Sequence, residues 1–277
     1  MPLYSRINRS PTAESRRRRP LPTWQDAQFA GVQLANNFEG ITPSGTTLTA
    51  GSGGNTGGIS GNYFDIINII AGGTVVSDST HVAHQGMALQ VATGATAGAA
   101  KAVWTTQLTS TAVSKIWYRV YLFFTAFPAV AHRFFDAETA STTTGSFWVD
   151  TTGKILARVS AGTTPLTSVT TIPLNRWFRV EGSIVGDAAV GQLEFNLFSS
   201  AMDGVIPDEP QISAPNLNTT GLNTKVSLGI SGTAIANAGP YWIDDAAVST
   251  IGPIGPVGSF PPRPVVISQS VSRGANY

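Results

Sequence analysis

The sequence predicts an all-β protein, an antiparallel β-sandwich or jelly roll in a single domain with extended N- and C-terminal arms. Composition points there first. Charged residues are only 12% of the 277, while 29 glycines and 17 prolines punctuate the chain. That balance disfavours helical bundles, coiled coils and charged disordered chains. Periodicity points the same way. Eleven short segments of strand character follow one another at even spacing, and no window has the period of an amphipathic helix. So many antiparallel strands cannot lie in one flat sheet; they split into two packed layers.

Residues 1–23 form a basic arm. They carry prolines at 2, 11, 20 and 22, and six arginines against Glu14, a net charge of +5. The body runs from Trp24 to Ile251. Its early stretch 43–62 is rich in Gly, Ser and Thr, lacks the spacing of a phosphate-binding loop, and reads as a long surface loop. Strands are expected at 64–70, 87–93, 102–108, 115–124, 132–138, 145–151, 154–160, 176–185, 192–199, 225–231 and 241–249. Thr152-Gly153 marks a hairpin between the sixth and seventh of these. The body holds nine basic and fifteen acidic residues, a net charge of −6. Residues 252–277 form the second arm, rich in Pro and Gly, with Arg263 and Arg273. Three collagen-like triplets open it, too few for a triple helix, so an extended connector is expected. The strand-like Val265, Val266 and Ile267 then suit pairing with a neighbour's sheet edge.

Several chemistries are excluded or disfavoured. With no cysteine there is no disulfide, thiol nucleophile or cysteine-ligated metal. No apolar run is long enough for a transmembrane helix, and no signal peptide is written before position 30. His81 and His84 lie in a polar connection without a recognisable third zinc ligand, Asp78 being the nearest. His132 has no nucleophile elbow to serve. Glu181 and Glu194 stand isolated among apolar neighbours and are expected to face solvent. No catalytic residues are assigned, and the chain reads as a non-enzyme. Trp104, Trp117, Trp148, Trp177 and Trp242 each sit in an apolar strand pattern and are expected in the core.

Two acidic stretches carry a resemblance. Asn36-Asn37-Phe38-Glu39-Gly40 lies where the first body strand is expected, and Tyr241-Trp242-Ile243-Asp244-Asp245 in the last. Together with the central segment 176–185, they resemble the ends and middle of concanavalin A-like (laminin-G-like) jelly-roll domains over about 38–250. The resemblance implies that first and last strands are neighbours, and that Glu39 with Asp244 or Asp245 holds a structural calcium. The arms, the compact polar body and the missing signal peptide resemble virion proteins of tailed bacteriophages, those of actinobacteria in particular.

The expected function is therefore a structural protein of a phage particle, a head-decoration or minor tail protein. Other virion subunits, and further copies of the chain, would be bound through Arg16, Arg17, Arg18, Arg19, Val265, Val266 and Ile267. The alternative is a carbohydrate-binding module recognising host surface glycans. Binding of nucleic acid by the four arginines is disfavoured, because the acidic body offers no second basic surface.

Overall fold

A computed structural model describes residues 33–257 apart from 42, 106–107, 109–112, 160–163 and 210–211, together with the backbone alone of 232–234. The terminal segments 1–32 and 258–277, with Arg16 to Arg19 and Val265 to Ile267, lie outside the described residues. Fifteen strands build two antiparallel sheets. Among the described residues no helix is long and apolar enough to cross a membrane.

The first sheet contains β13 (Ile212–Leu217), β12 (Gly191–Phe198), β11 (Phe178–Val185), β6 (Lys115–Phe124), β15 (Tyr241–Ser249), β4 (Ala88–Thr93) and β3 (Gly73–Asp78), in that order; β1 (Gln33–Asn36) also pairs with β15. The second contains β10 (Leu166–Thr171), β9 (Lys154–Arg158), β8 (Thr143–Val149), β7 (His132–Glu138), β14 (Lys225–Ile235), β5 (Gly98–Trp104) and β2 (Ile66–Ile70). This is the sandwich of jelly-roll type that the alternating pattern predicts.

The inner faces follow the period of two. Ile116, Tyr118, Val120, Leu122 and Phe124 of β6 are buried, as are Leu193, Phe195 and Leu197 of β12. Aromatic rings bridge the two layers: Tyr118 stacks on Phe135 at 4.3 Å, and Phe147 meets Phe195 edge-on at 6.1 Å. Each buried large apolar side chain contributes about 1.5–3 kcal/mol relative to exposure. The hairpin at Thr152-Gly153 forms as expected. The Asp150 carboxylate accepts from the backbone N–H groups of Thr152 and Lys154, and Gly153 takes a φ of 76°.

The strands depart from expectation at several points, β5 (Gly98–Trp104) beginning four residues before the expected 102–108. β2 and β3 are separated only by Ala71 and Gly72, yet belong to different sheets. The chain turns this corner because Gly72 has a φ of 74° and a Cβ on Gly73 would fall 2.0 Å from the Ala99 carbonyl oxygen. β10 is a Ser/Thr-rich edge strand, and β13 carries Pro215 at the opposite sheet's edge, where a missing N–H is tolerated. β1 ends at Asn36, so Asn37 to Gly40 form a turn and not the expected strand start. Phe38 takes a φ of 63°, and the Asn36 side chain accepts its N–H at 2.8 Å. Residues 252–257, assigned by sequence to the C-terminal arm, lie along the first sheet: the Val257 N–H donates to the Tyr121 hydroxyl, and Arg119 Nη1 to the Gly255 carbonyl.

His132 opens β7 inside the sandwich. Its ring stacks on Tyr241 at 5.1 Å, Nδ1 lies 3.1 Å from the Val130 carbonyl oxygen, and Nε2 has no partner. Burial pushes its pKa down to about 4. The unfolded chain binds this proton below about 6.5 and the native state only near 4, so stability falls as pH drops through that window. The expected loss is at most about 3 kcal/mol. Replacing His132→Phe should flatten that part of the pH dependence, as read by denaturant midpoints at pH 4.5 and 7; an unchanged slope would place the acid sensitivity elsewhere.

Candidate functional site

The outward side of the first sheet holds three adjoining arrangements. At one end is an aromatic row. The register sets Trp242 of β15 opposite Phe123 of β6, and Trp177 stands just before β11 beside Phe123. The ring centroids are 5.7 Å and 5.6 Å apart. His81, from the loop between β3 and β4, stacks on Trp242 at 3.9 Å and touches Phe123 at 5.0 Å. Trp242 is thereby covered, whereas Trp177, Phe123 and His81 are half-buried. Asp78 fixes the row from below, accepting from Trp242 Nε1 and Thr80 and lying 3.1 Å from His81 Nδ1. Burial acts to raise its pKa, but the hydrogen bonds from Thr80, His81 and Trp242 hold it down to about 2.

In the middle is an ionic clasp. β15 kinks where Asp245 takes a φ of 44°, and its register against β6 shifts between Asp244 and Ala247. Both acids are buried. Asp244 accepts the Ala83 N–H at 2.9 Å, and Asp245 Oδ2 lies 2.6 Å from His84 Nδ1. His84 Nε2 reaches Asp203 at 2.9 Å, and Asp203 also accepts the Tyr121 hydroxyl. Arg179 donates to the carbonyls of Met202 and Gly204. Two loops and the 252–257 segment are thus fastened to the sheet by side chains from β6, β11 and β15. Burial and the neighbouring Asp245 charge push the Asp244 carboxyl well up. The Asp245 hydrogen bond raises His84 against the opposing effect of burial.

At the other end is a pocket of about 130 Å³. Trp117 of β6, Glu181 and Ser183 of β11, Glu194 and Asn196 of β12, and Ile254 line it. The two glutamates, expected to stand in solvent, are only 12% and 16% exposed. Segment 252–257 and neighbouring side chains bury them.

The expected calcium ligands do come close to one element. Glu39 accepts the N–H groups of Gly86 and Met87 at 2.7 and 2.9 Å, and Asp244 and Asp245 bind the same loop at Ala83 and His84. Each acid meets a separate donor, and among the described residues no group of three or more histidine and carboxylate side chains is placed to hold a metal ion. His84, read as a polar loop residue, is the bridge of the clasp. Of the five tryptophans expected in the core, Trp104 and Trp242 are buried. Trp117, Trp148 and Trp177 are half-buried on outward faces, Trp148 between the guanidinium groups of Arg133 and Arg158 on the second sheet. Alternation alone does not reveal which side of a strand meets the other sheet when loops bury both sides.

No family model matches the chain, and no curated protein matches it in sequence. Among solved structures it is similar to the cellulose-induced protein Cip1, with a TM-score of 0.47 and 15% identity over 78% of this chain and 96% of that one. It is also similar to arcelin-5, a lectin-like defence protein from Phaseolus vulgaris (TM-score 0.41, 12% identity, 68% and 94% of the two chains). A third is the binding domain of botulinum neurotoxin DC, solved with rat synaptotagmin II (TM-score 0.44, 10% identity, 78% and 47%). Identities and scores at this level transfer no function to this chain.

The clasp has a pH dependence of definite sign. Because the native state raises the His84 pKa, the stabilisation is complete below the ordinary value of 6.5 and is lost as pH rises through the raised one. Melting of the full chain should therefore show an extra loss of stability on the alkaline side of neutrality. His84→Ala should remove that loss and cost about 1–2 kcal/mol at pH 6, the scale of a partly exposed charge-assisted hydrogen bond. A variant that melts like the parent at both pH 6 and pH 9 would show the clasp to be idle.

Proposed function

We propose that the chain is a glycan-binding β-sandwich whose recognition surface is the outward side of the first sheet. The observation that carries this reading is the row Trp177–Phe123–Trp242 with His81 stacked at its end. Sugar rings present apolar C–H faces, which stack on aromatic rings while their hydroxyls seek hydrogen-bonding groups at the edges. Here the half-buried Trp177 and Phe123, with His81 laid over the buried Trp242, make a continuous surface, and Gln90 of β4 stands opposite Trp242. A row fixed by strand register costs little ordering on binding. The rings are held by Asp78 and by one another, not by a loop that must close. The arms on which much of the virion reading rests, 1–23 and 252–277, lie mostly outside the described residues, and the aromatic row of the described body supports the glycan alternative.

The test uses the full chain and a panel of soluble plant, fungal and bacterial polysaccharides in affinity electrophoresis, followed by calorimetry on those retained. Trp177→Ala should weaken binding at least tenfold, about 1.4 kcal/mol, the scale expected for an aromatic anchor. Trp148→Ala, on the other sheet, should leave it unchanged. Retention of no polysaccharide, or equal loss in both variants, would defeat the assignment.

A further inference from the structure

We propose that the pocket at the Trp117 end hydrolyses glycosidic bonds, with Glu181 as general acid and Glu194 as the base that activates water. This rests on the glycan reading above and adds a reaction to it. The register is the first ground. Glu181 pairs with Asn196 and Ser183 with Glu194, so the two glutamates are diagonal partners on adjacent antiparallel strands, both lining the same pocket. Diagonal partners stand about 7–8 Å apart. Water-activating carboxyl pairs need about 6.5–9.5 Å, and the backbone sets the two side chains out from that range.

The two environments differ, which is the second ground. Glu194 is ringed by donors: Ser183 Oγ at 2.6 Å, Gln192 Nε2 at 2.7 Å and the Lys115 ammonium at 3.5 Å. Glu181 has Arg179 Nε 2.9 Å from its Oε1, but without the alignment of a hydrogen bond, so both atoms are buried and unpartnered. Its charged neighbours are Arg179 on its own strand and Arg119 on β6, with the Gly255 N–H facing it from the closing segment. Burial outweighs all three and raises its pKa. A carboxyl raised by burial supplies the acid, and the hydrogen-bonded carboxylate beside it the base. Trp117 and Asn196 supply an aromatic wall and an amide for the sugar beside them. Gly182 between the glutamates is required by packing. A Cβ there would fall 2.7 Å from Tyr118 Cε1 and 2.2 Å from the Glu194 carbonyl oxygen.

The step balances with water as co-reactant. Glu181 gives its carboxyl proton to the glycosidic oxygen as the bond to the anomeric carbon breaks. Glu194 takes a proton from a water whose oxygen bonds to that carbon. One water is consumed and two hydroxyl-bearing sugars leave; solvent then reprotonates Glu181 and deprotonates Glu194.

The experiment measures reducing ends released by the full chain from every polysaccharide it binds, and 4-nitrophenol or 2,4-dinitrophenol from aryl glycosides of the released sugar. Release is expected, with an alkaline limb of the rate profile above the ordinary glutamate range. Glu181→Gln and Glu194→Gln should each lower kcat on polysaccharide about 10³-fold, within the usual range for general acid–base groups, with binding retained. Glu181→Gln should recover on 2,4-dinitrophenyl glycosides, whose leaving group needs no proton, and Glu194→Gln should not; a merely structural role would not separate them. Binding without any release overturns the hydrolysis alone. Release that survives both substitutions overturns the assignment of the glutamates. No binding and no release overturn the glycan reading together with it.

Discussion

The outward side of the first sheet is organised around two carboxylates buried at adjacent positions of one strand. Strands place neighbouring side chains on opposite faces, so a pair of consecutive acids on the same side requires the ladder to break. β15 breaks it at Asp245, at the point where its partner changes from β4 to β1. A buried carboxylate must find donors or remain protonated. Asp244 finds the loop after β3, and Asp245 finds His84, which in turn finds Asp203. To this irregularity the loop between β3 and β4 is tied, with His84 reaching on to Asp203. The aromatic row and the pocket are the two ends left open by that central fastening.

Much of this was legible in the sequence, and the illegible part has a physical reason. Segments whose alternation is strong, 176–185 and 192–199, coincide with β11 and β12. β3 was hidden because the chain passes from sheet to sheet through two residues, and β10 and β13 because Thr, Ser and Pro read as loop although edges tolerate them. The acids at 39, 244 and 245, expected together as calcium ligands, all reach the loop between β3 and β4, where Glu39 and Asp244 accept its N–H groups and Asp245 meets His84. The outward rings and Glu181 were least legible. Phe123 and Trp117 lie in β6, which has apolar or covered residues on both sides, and such a strand loses the alternation that would separate core from surface.

The pocket and the aromatic row face the same way yet are built by different physics. The row depends on register and on Asp78: β15, β6 and the entry to β11 place Trp242, Phe123 and Trp177 side by side. The pocket depends on a segment with no ladder of its own, since Pro253 and Ile254 close it while Arg119 and Tyr121 hold that segment by single hydrogen bonds. One is a fixed surface, and the other has a wall that can be set aside independently of the sheets.

That wall has a mechanical consequence. Tension applied to the chain beyond Val257 would not be shared across a sheet's many parallel bonds. It would fall on the Val257–Tyr121 bond first and then on the two fastenings of Gly255, its carbonyl to Arg119 and its N–H to Glu181, so the segment would peel like a zipper from its outer end. The force needed would be small, and the part displaced would be the flank of the pocket, while the sandwich beneath, loaded in shear through paired strands, would stay intact.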